Sequence, residues 1–165
     1  MYYSTIQLIH FRNYIKQNLK LHEGVNVFVG QNGQGKTNFL ESVYLLSRAK
    51  SFRPGKIERL VMNQSSTKPF GASIQGVLCD GSFKSLVQLN VEDDKREAFL
   101  NSKKTNGAKL AKLAPTVLFH PDCLAAIKQG PEQRRELVDE WLLTYSLKNA
   151  KAISNFKKAL QQRNR

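Results

Sequence analysis

Acidic residues are scarce in this chain: 13 Asp and Glu stand against 26 Lys and Arg over 165 residues, for a formal net charge of +13. Cysteine is scarcer still. Cys79 and Cys123 are the only two, with no CxxC spacing, and His10, His22 and His120 form no HExxH or related pattern. A disulfide framework and a structural zinc site are therefore poor readings. No apolar run approaches the roughly 18 residues needed to span a bilayer. The opening Met1-Tyr2-Tyr3-Ser4-Thr5 lacks a basic segment followed by an apolar one. No secretory signal is expected, and the expected location is cytoplasmic, without a membrane partner. Internal repeats and low-complexity segments are also missing.

What remains is an ordinary globular balance, 41% hydrophobic and 24% charged, in a length that suits one domain or one domain with an appendage. The basic excess attracts polyanions: nucleic acid, anionic membrane or nucleotide phosphates. Charge alone does not choose among them.

The first third alternates between strand and turn signals. Thr5–Phe11 is β-rich, Asn18–Leu21 is a short second run, and His22-Glu23-Gly24 reads as a turn. Val25-Asn26-Val27-Phe28-Val29 reads as a strong third strand. A helix is expected from Lys36 to about Ala49, with Phe39, Leu40, Val43, Tyr44 and Leu46 as its apolar positions. Residues 70–101 predict an antiparallel meander, with a hairpin turn at Asp80-Gly81. Thr116-Val117-Leu118-Phe119 predicts a buried strand ending at His120-Pro121. A short helix is expected over Pro121–Gln129 with Gly130 as terminator, then a long one from Pro131 to the end.

One motif carries chemistry. Gly30-Gln31-Asn32-Gly33-Gln34-Gly35-Lys36-Thr37 fits GxxxxGK[ST], a pattern expected by chance in fewer than about one chain in a hundred of this length. It lies between a strand signal and a helix signal, as a phosphate-binding loop requires. Glycines let the backbone curl its amides inward around a phosphate chain. The helix start adds unpaired amides and the positive end of a dipole. Lys36 supplies a compact cation for the β- and γ-phosphates, and Thr37 a hydroxyl for Mg²⁺. Hydrolysis would also need a metal-binding acid on a neighbouring strand. Asp80 is better read as part of a hairpin turn. Asp139 and Glu140 follow Leu137-Val138 within a helical pattern, where salt bridges are the better reading. No catalytic residue is therefore assigned. With no NKxD sequence, guanine selectivity has no support.

Around this loop further segments become recognisable. Phe11-Arg12-Asn13-Tyr14, Gly24-Val25-Asn26-Val27, the run from Gly30 through Thr37-Asn38-Phe39-Leu40-Glu41 to Leu46, and Ser51-Phe52-Arg53 resemble the opening of the RecF family. Phe119-His120-Pro121-Asp122, Gly130-Pro131-Glu132-Gln133-Arg134-Arg135-Glu136-Leu137-Val138-Asp139 and Arg163-Asn164 resemble later family segments in the right order. The resemblance spans the whole chain but only the front half of a typical member. It implies an α/β fold, the N-terminal part of an ABC-type P-loop ATPase head over residues 1–120. An antiparallel or mixed β region belongs to that head, and a helical second lobe starts over 121–165. It further implies ATP with Mg²⁺, binding to single-stranded or gapped DNA, the mediators RecO and RecR as partners, and roles in replication, gap repair and the SOS response.

By this resemblance the cofactor-binding residues are Gly30, Gln31, Asn32, Gly33, Gln34, Gly35, Lys36, Thr37 and Asn38, with Arg12 and Asn13 beside the nucleotide and Thr37 as metal ligand. Arg53 either approaches the phosphates or faces water, and Asp122 or Gln129 is a candidate for a metal-side loop. The ABC signature and Walker B segments of the family are not recognisable. ATP hydrolysis by this chain alone is therefore not expected, and an ATP-driven closed dimer has no sequence support. Two basic stretches are candidates for DNA: residues 48–68, with Arg48, Lys50, Arg53, Lys56, Arg59 and Lys68, and residues 148–165. Two other readings remain open: a small P-loop nucleotide or metabolite kinase, and a non-catalytic DNA-binding fragment with a vestigial loop.

Overall fold

In a computed structural model of the chain, the described residues are 1–62, 71–92, 94–119, 131, 134–135, 138–139, 142 and 146–163. The expected short helix at 121–129, with Asp122 and Gln129, lies outside them, as does Lys68.

Six antiparallel strands form one sheet in the order β2-β1-β3-β4-β5-β6: β1 (Tyr2–Phe11), β2 (Tyr14–Lys20), β3 (Ala72–Asp80), β4 (Phe83–Glu92), β5 (Lys95–Leu100) and β6 (Lys103–Thr105). The expected meander is present, and Asp80 closes β3 at a hairpin where Gly81 has φ 58°. Alternation selects one face as the core: Ile6, Leu8, Ile74, Val87, Leu89 and Val91 are fully buried on it. Gly76 faces the same way. A Cβ there would lie 2.7 Å from a methyl of Leu46 and 2.8 Å from the Tyr3 ring, so a mid-strand glycine is what lets a helix settle on the sheet.

That helix is α1 (Lys36–Arg48). Its buried face is Phe39, Glu41, Ser42, Tyr44, Leu45, Leu46 and Ser47. Leu45 belongs to it, whereas the expected Leu40 is 48% exposed. A 3-10 turn (Ile57–Leu60) and α2 (Gly107–Leu113), capped by the Asn106 side chain on Lys109 N–H, complete the packed unit.

Two expected strands are not strands. Residues 25–29 pair with nothing among the described residues, and Val25, Val27 and Val29 are 87%, 78% and 91% exposed. Residues 115–119 are likewise irregular, with Val117 95% exposed. Both runs carry real β-propensity, but propensity becomes a strand only when a neighbour supplies backbone partners. The six-stranded sheet does not reach them. The expected continuous C-terminal helix is also interrupted. Described residues from Pro131 to Leu142 are helical, Ser146 is not, and α3 (Leu147–Arg163) begins after it. The Ser146 amide and the Asn149 side chain both bond Leu142 O, so polar groups close one helix before the next starts. No described helix is long and apolar enough to cross a membrane.

Candidate functional site

The loop sits where the chain enters α1. Asn26 closes the preceding turn, accepting from His22 N–H and donating to His22 O. Phe28 packs on Phe39 with ring centroids 4.6 Å apart, which anchors the loop's leading segment to the core side of α1. Gly33 (φ 84°) and Gly35 (φ 102°) take backbone conformations that side chains disfavour. At Gly35 a second constraint applies: a Cβ would lie 2.7 Å from Asn13 Nδ2 and 2.9 Å from the Tyr14 hydroxyl.

Gly35 is also the N-cap of α1. It offers no side-chain cap, and the first turn of α1 holds no acidic residue. The amides that open α1 thus lack the usual capping oxygen, so they remain disposed toward an external anion. Lys36 Nζ donates to Gly30 O (2.6 Å) and Gln31 O (2.7 Å), arching over the loop rather than extending into solvent. Gln31 N–H donates to Gln34 Oε1 at 3.1 Å. One loop amide is therefore held by a side chain of the loop itself. Thr37 is exposed at the second helical position.

The strand-end turn 11–14 abuts this loop. Arg12 adopts φ 55°, and its amide bonds Leu60 O while Met62 N–H bonds His10 O. The Tyr14 hydroxyl donates to Gly35 O (3.1 Å), and partial burial pushes its pKa above the ordinary tyrosine value, keeping it a donor. Asn38 Nδ2 donates to Asn13 Oδ1 (2.8 Å). The structure thus brings Arg12, Asn13, the loop and Asn38 into one cluster.

Sequence reasoning passed over Glu41. Its side chain is fully buried, and Arg12 grips it through Nε (2.9 Å) and Nη2 (2.7 Å). Arg53 approaches it at 3.5 Å while donating to Asn38 Oδ1 at 2.7 Å, and the Ser51 hydroxyl donates to it as well. The available signal was an acid four residues after Thr37 amid the buried positions of an amphipathic helix. Among the described residues, no group of three or more His, Cys, Asp or Glu is placed to hold a metal ion.

The basic stretches divide. Arg48 bonds Thr116 O and Arg53 belongs to the Glu41 cluster, whereas Lys50, Lys56 and Arg59 are exposed. On α3, Lys151, Lys157, Lys158 and Arg163 are exposed, and Lys157 pairs with Asp139 at 3.0 Å. Asp139 therefore makes the inter-helix salt bridge expected of it.

Residues 2–128 match the RecF/RecN/SMC N terminal domain family. The chain is 37% identical over 164 residues to the DNA replication and repair protein RecF of Clostridioides difficile. The chain belongs to the RecF family. That alignment covers 98% of this chain and 43% of its relative, so the chain spans less than half the length of the curated RecF proteins it matches. A solved structure of the recombination mediator protein RecF with ATP, in the RecFOR pathway, superposes with a TM-score of 0.87 at 29% identity, covering 99% of this chain and 43% of that one. The SMC head domain from Thermotoga maritima shares the fold, with a TM-score of 0.56 at 17% identity over 67% of this chain and 41% of that one. The antiparallel sheet, the loop and α1 are accordingly the N-terminal part of an ABC-type P-loop ATPase head of the RecF and SMC kind.

Proposed function

We propose that this chain binds ATP through Gly30–Thr37 and serves a RecF-type protein of DNA replication and repair. One observation carries the reading. The GxxxxGK[ST] loop delivers the uncapped, acid-free start of α1 to a point flanked by Lys36, Asn13 and Asn38, a constellation suited to a phosphate chain. The ATP complex of the structurally similar RecF protein supports the same choice of ligand. Gly30, Gln31, Asn32, Gly33, Gln34 and Gly35 contribute backbone amides, and Lys36 shifts from its carbonyl partners onto the phosphates.

Mg²⁺ fits this arrangement through a single protein oxygen. Thr37 is exposed in the first turn of α1, so its hydroxyl is the protein oxygen proposed for the ion, and phosphate oxygens would complete much of the shell. Glu41 is not a candidate ligand, since Arg12, Arg53 and Ser51 already engage it. When bound, the ion supplies charge neutralisation between the phosphates.

DNA, single-stranded or gapped, is the proposed macromolecular partner. The net charge of +13 and the exposed cations at Lys50, Lys56 and Arg59 and along α3 support phosphate contacts of low sequence preference. Membership of the RecF family extends this proposal to gap repair, the SOS response, the mediators RecO and RecR, and a cytoplasmic setting.

Equilibrium binding of labelled ATP to the wild-type chain and to Lys36→Ala tests the nucleotide claim. Wild type should bind and the variant should lose at least tenfold in affinity, since a hydrogen bond to a charged group is worth about 1.5–3 kcal/mol. Equal affinities would remove it.

A further inference from the structure

The carboxylate of Glu41 is fully buried between a helix and the loop that packs beside it. A buried ion pair is weak evidence for stability, because apolar residues of similar volume often serve as well. The position of Glu41 suggests another role. It lies four residues after Thr37 and three after Asn38, so all three side chains share one face of α1. It also ties together three segments that meet at the phosphate loop: the turn holding Arg12, the first turn of α1, and the Ser51–Arg53 loop.

The two arginines are held unequally. Arg12 places Nε and Nη2 on Glu41 and Nη1 on Arg59 O (2.9 Å), so each of its three guanidinium nitrogens has a protein acceptor. This geometry makes Arg12 a clamp on the turn whose next two side chains touch Gly35. Arg53 is a third exposed and stands 3.5 Å from Glu41, with its shorter bond to Asn38. It is stationed one residue beyond Thr37 by an anion whose charge Arg12 already balances.

We propose that Glu41 is a positioning residue for the phosphate site: it locks Arg12 so that the turn 12–14 braces Gly35, and it orients Arg53 toward the terminal-phosphate side of the loop. This inference rests on the ATP reading above. It predicts that Glu41 acts on the distinction between triphosphate and diphosphate rather than on nucleotide binding in general.

The test is equilibrium binding of Mg-ATP and Mg-ADP to the whole chain, with circular dichroism to verify the fold. Glu41→Gln should weaken ATP about tenfold and ADP less than about threefold, the size of one lost contact to a charged group. Arg53→Gln should reproduce that fall in the ATP-to-ADP affinity ratio, and the double variant should add nothing. Ser51→Ala strips one donor from Glu41 and the acceptor of the Arg53 amide, and leaves every charge in place. It should lower the ratio about threefold, and it carries the test if Glu41→Gln does not fold. Equal losses for ATP and ADP, additive losses in the double variant, or an unchanged ratio in Ser51→Ala would each overturn the proposal. Wild type that binds neither nucleotide overturns the ATP reading itself, and the positioning role falls with it.

Discussion

Gly35→Ala is the sharpest single perturbation of the loop, because two separable constraints meet there. The first is backbone strain at φ 102°, which for a residue with a Cβ costs about 1–2 kcal/mol. The second is proximity: the new methyl would crowd Asn13 Nδ2 and the Tyr14 hydroxyl at 2.7 and 2.9 Å. Relieving that crowding loosens the Tyr14–Gly35 and Asn38–Asn13 hydrogen bonds, at about 1 kcal/mol each. Gly24 is the built-in control, with φ 92° and nothing within 4 Å of its would-be Cβ. Both substitutions gain equally from the stiffer unfolded chain. Gly35→Ala should therefore be less stable than Gly24→Ala by about 2 kcal/mol. With a urea m-value of about 2 kcal/mol/M, that difference displaces the unfolding midpoint by about 1 M. Coincident midpoints for the two variants would show that the turn 12–14 does not brace the loop.

Three further outcomes are expected. The Tyr3 hydroxyl is pushed up to about 12 by burial, above the value of about 10 in an unfolded chain. Its contribution is therefore present below pH 10 and is lost as pH rises toward 12, by up to about 3 kcal/mol. Alkaline unfolding curves should be flatter for Tyr3→Phe than for wild type, and parallel curves would refute this. Val29→Thr should change stability by less than about 0.5 kcal/mol, because Val29 is 91% exposed, whereas Leu45→Ala at a fully buried position should cost about 2–5 kcal/mol. A large penalty at Val29 would mean that residues 25–29 are paired after all. Filter binding to gapped DNA should weaken steeply between low and moderate salt, and affinity indifferent to salt would count against phosphate contacts.

The phosphate loop was legible in the sequence because its determinants are local: glycines, lysine and threonine at fixed spacing act within eight residues. The meander was legible for the same reason, since alternation and the Asp80-Gly81 turn define neighbouring strands. Val25–Val29 and Thr116–Phe119 misled because side-chain preference does not report whether a pairing neighbour exists. In α1, Leu40 and Leu45 traded places because hydrophobicity alone does not fix which side of a helix meets the sheet. Glu41 was missed because its partners Arg12, Ser51 and Arg53 lie 29, 10 and 12 residues away, and only the fold brings them to it.

Backbone amide NMR on the isotope-labelled chain, titrated with Mg-ATP, tests the central claim most directly. Saturable shifts should appear at the amides of Gly30 through Asn38 and need at least tenfold more nucleotide in Lys36→Ala. Amides in that segment that stay unmoved at millimolar nucleotide would contradict the account.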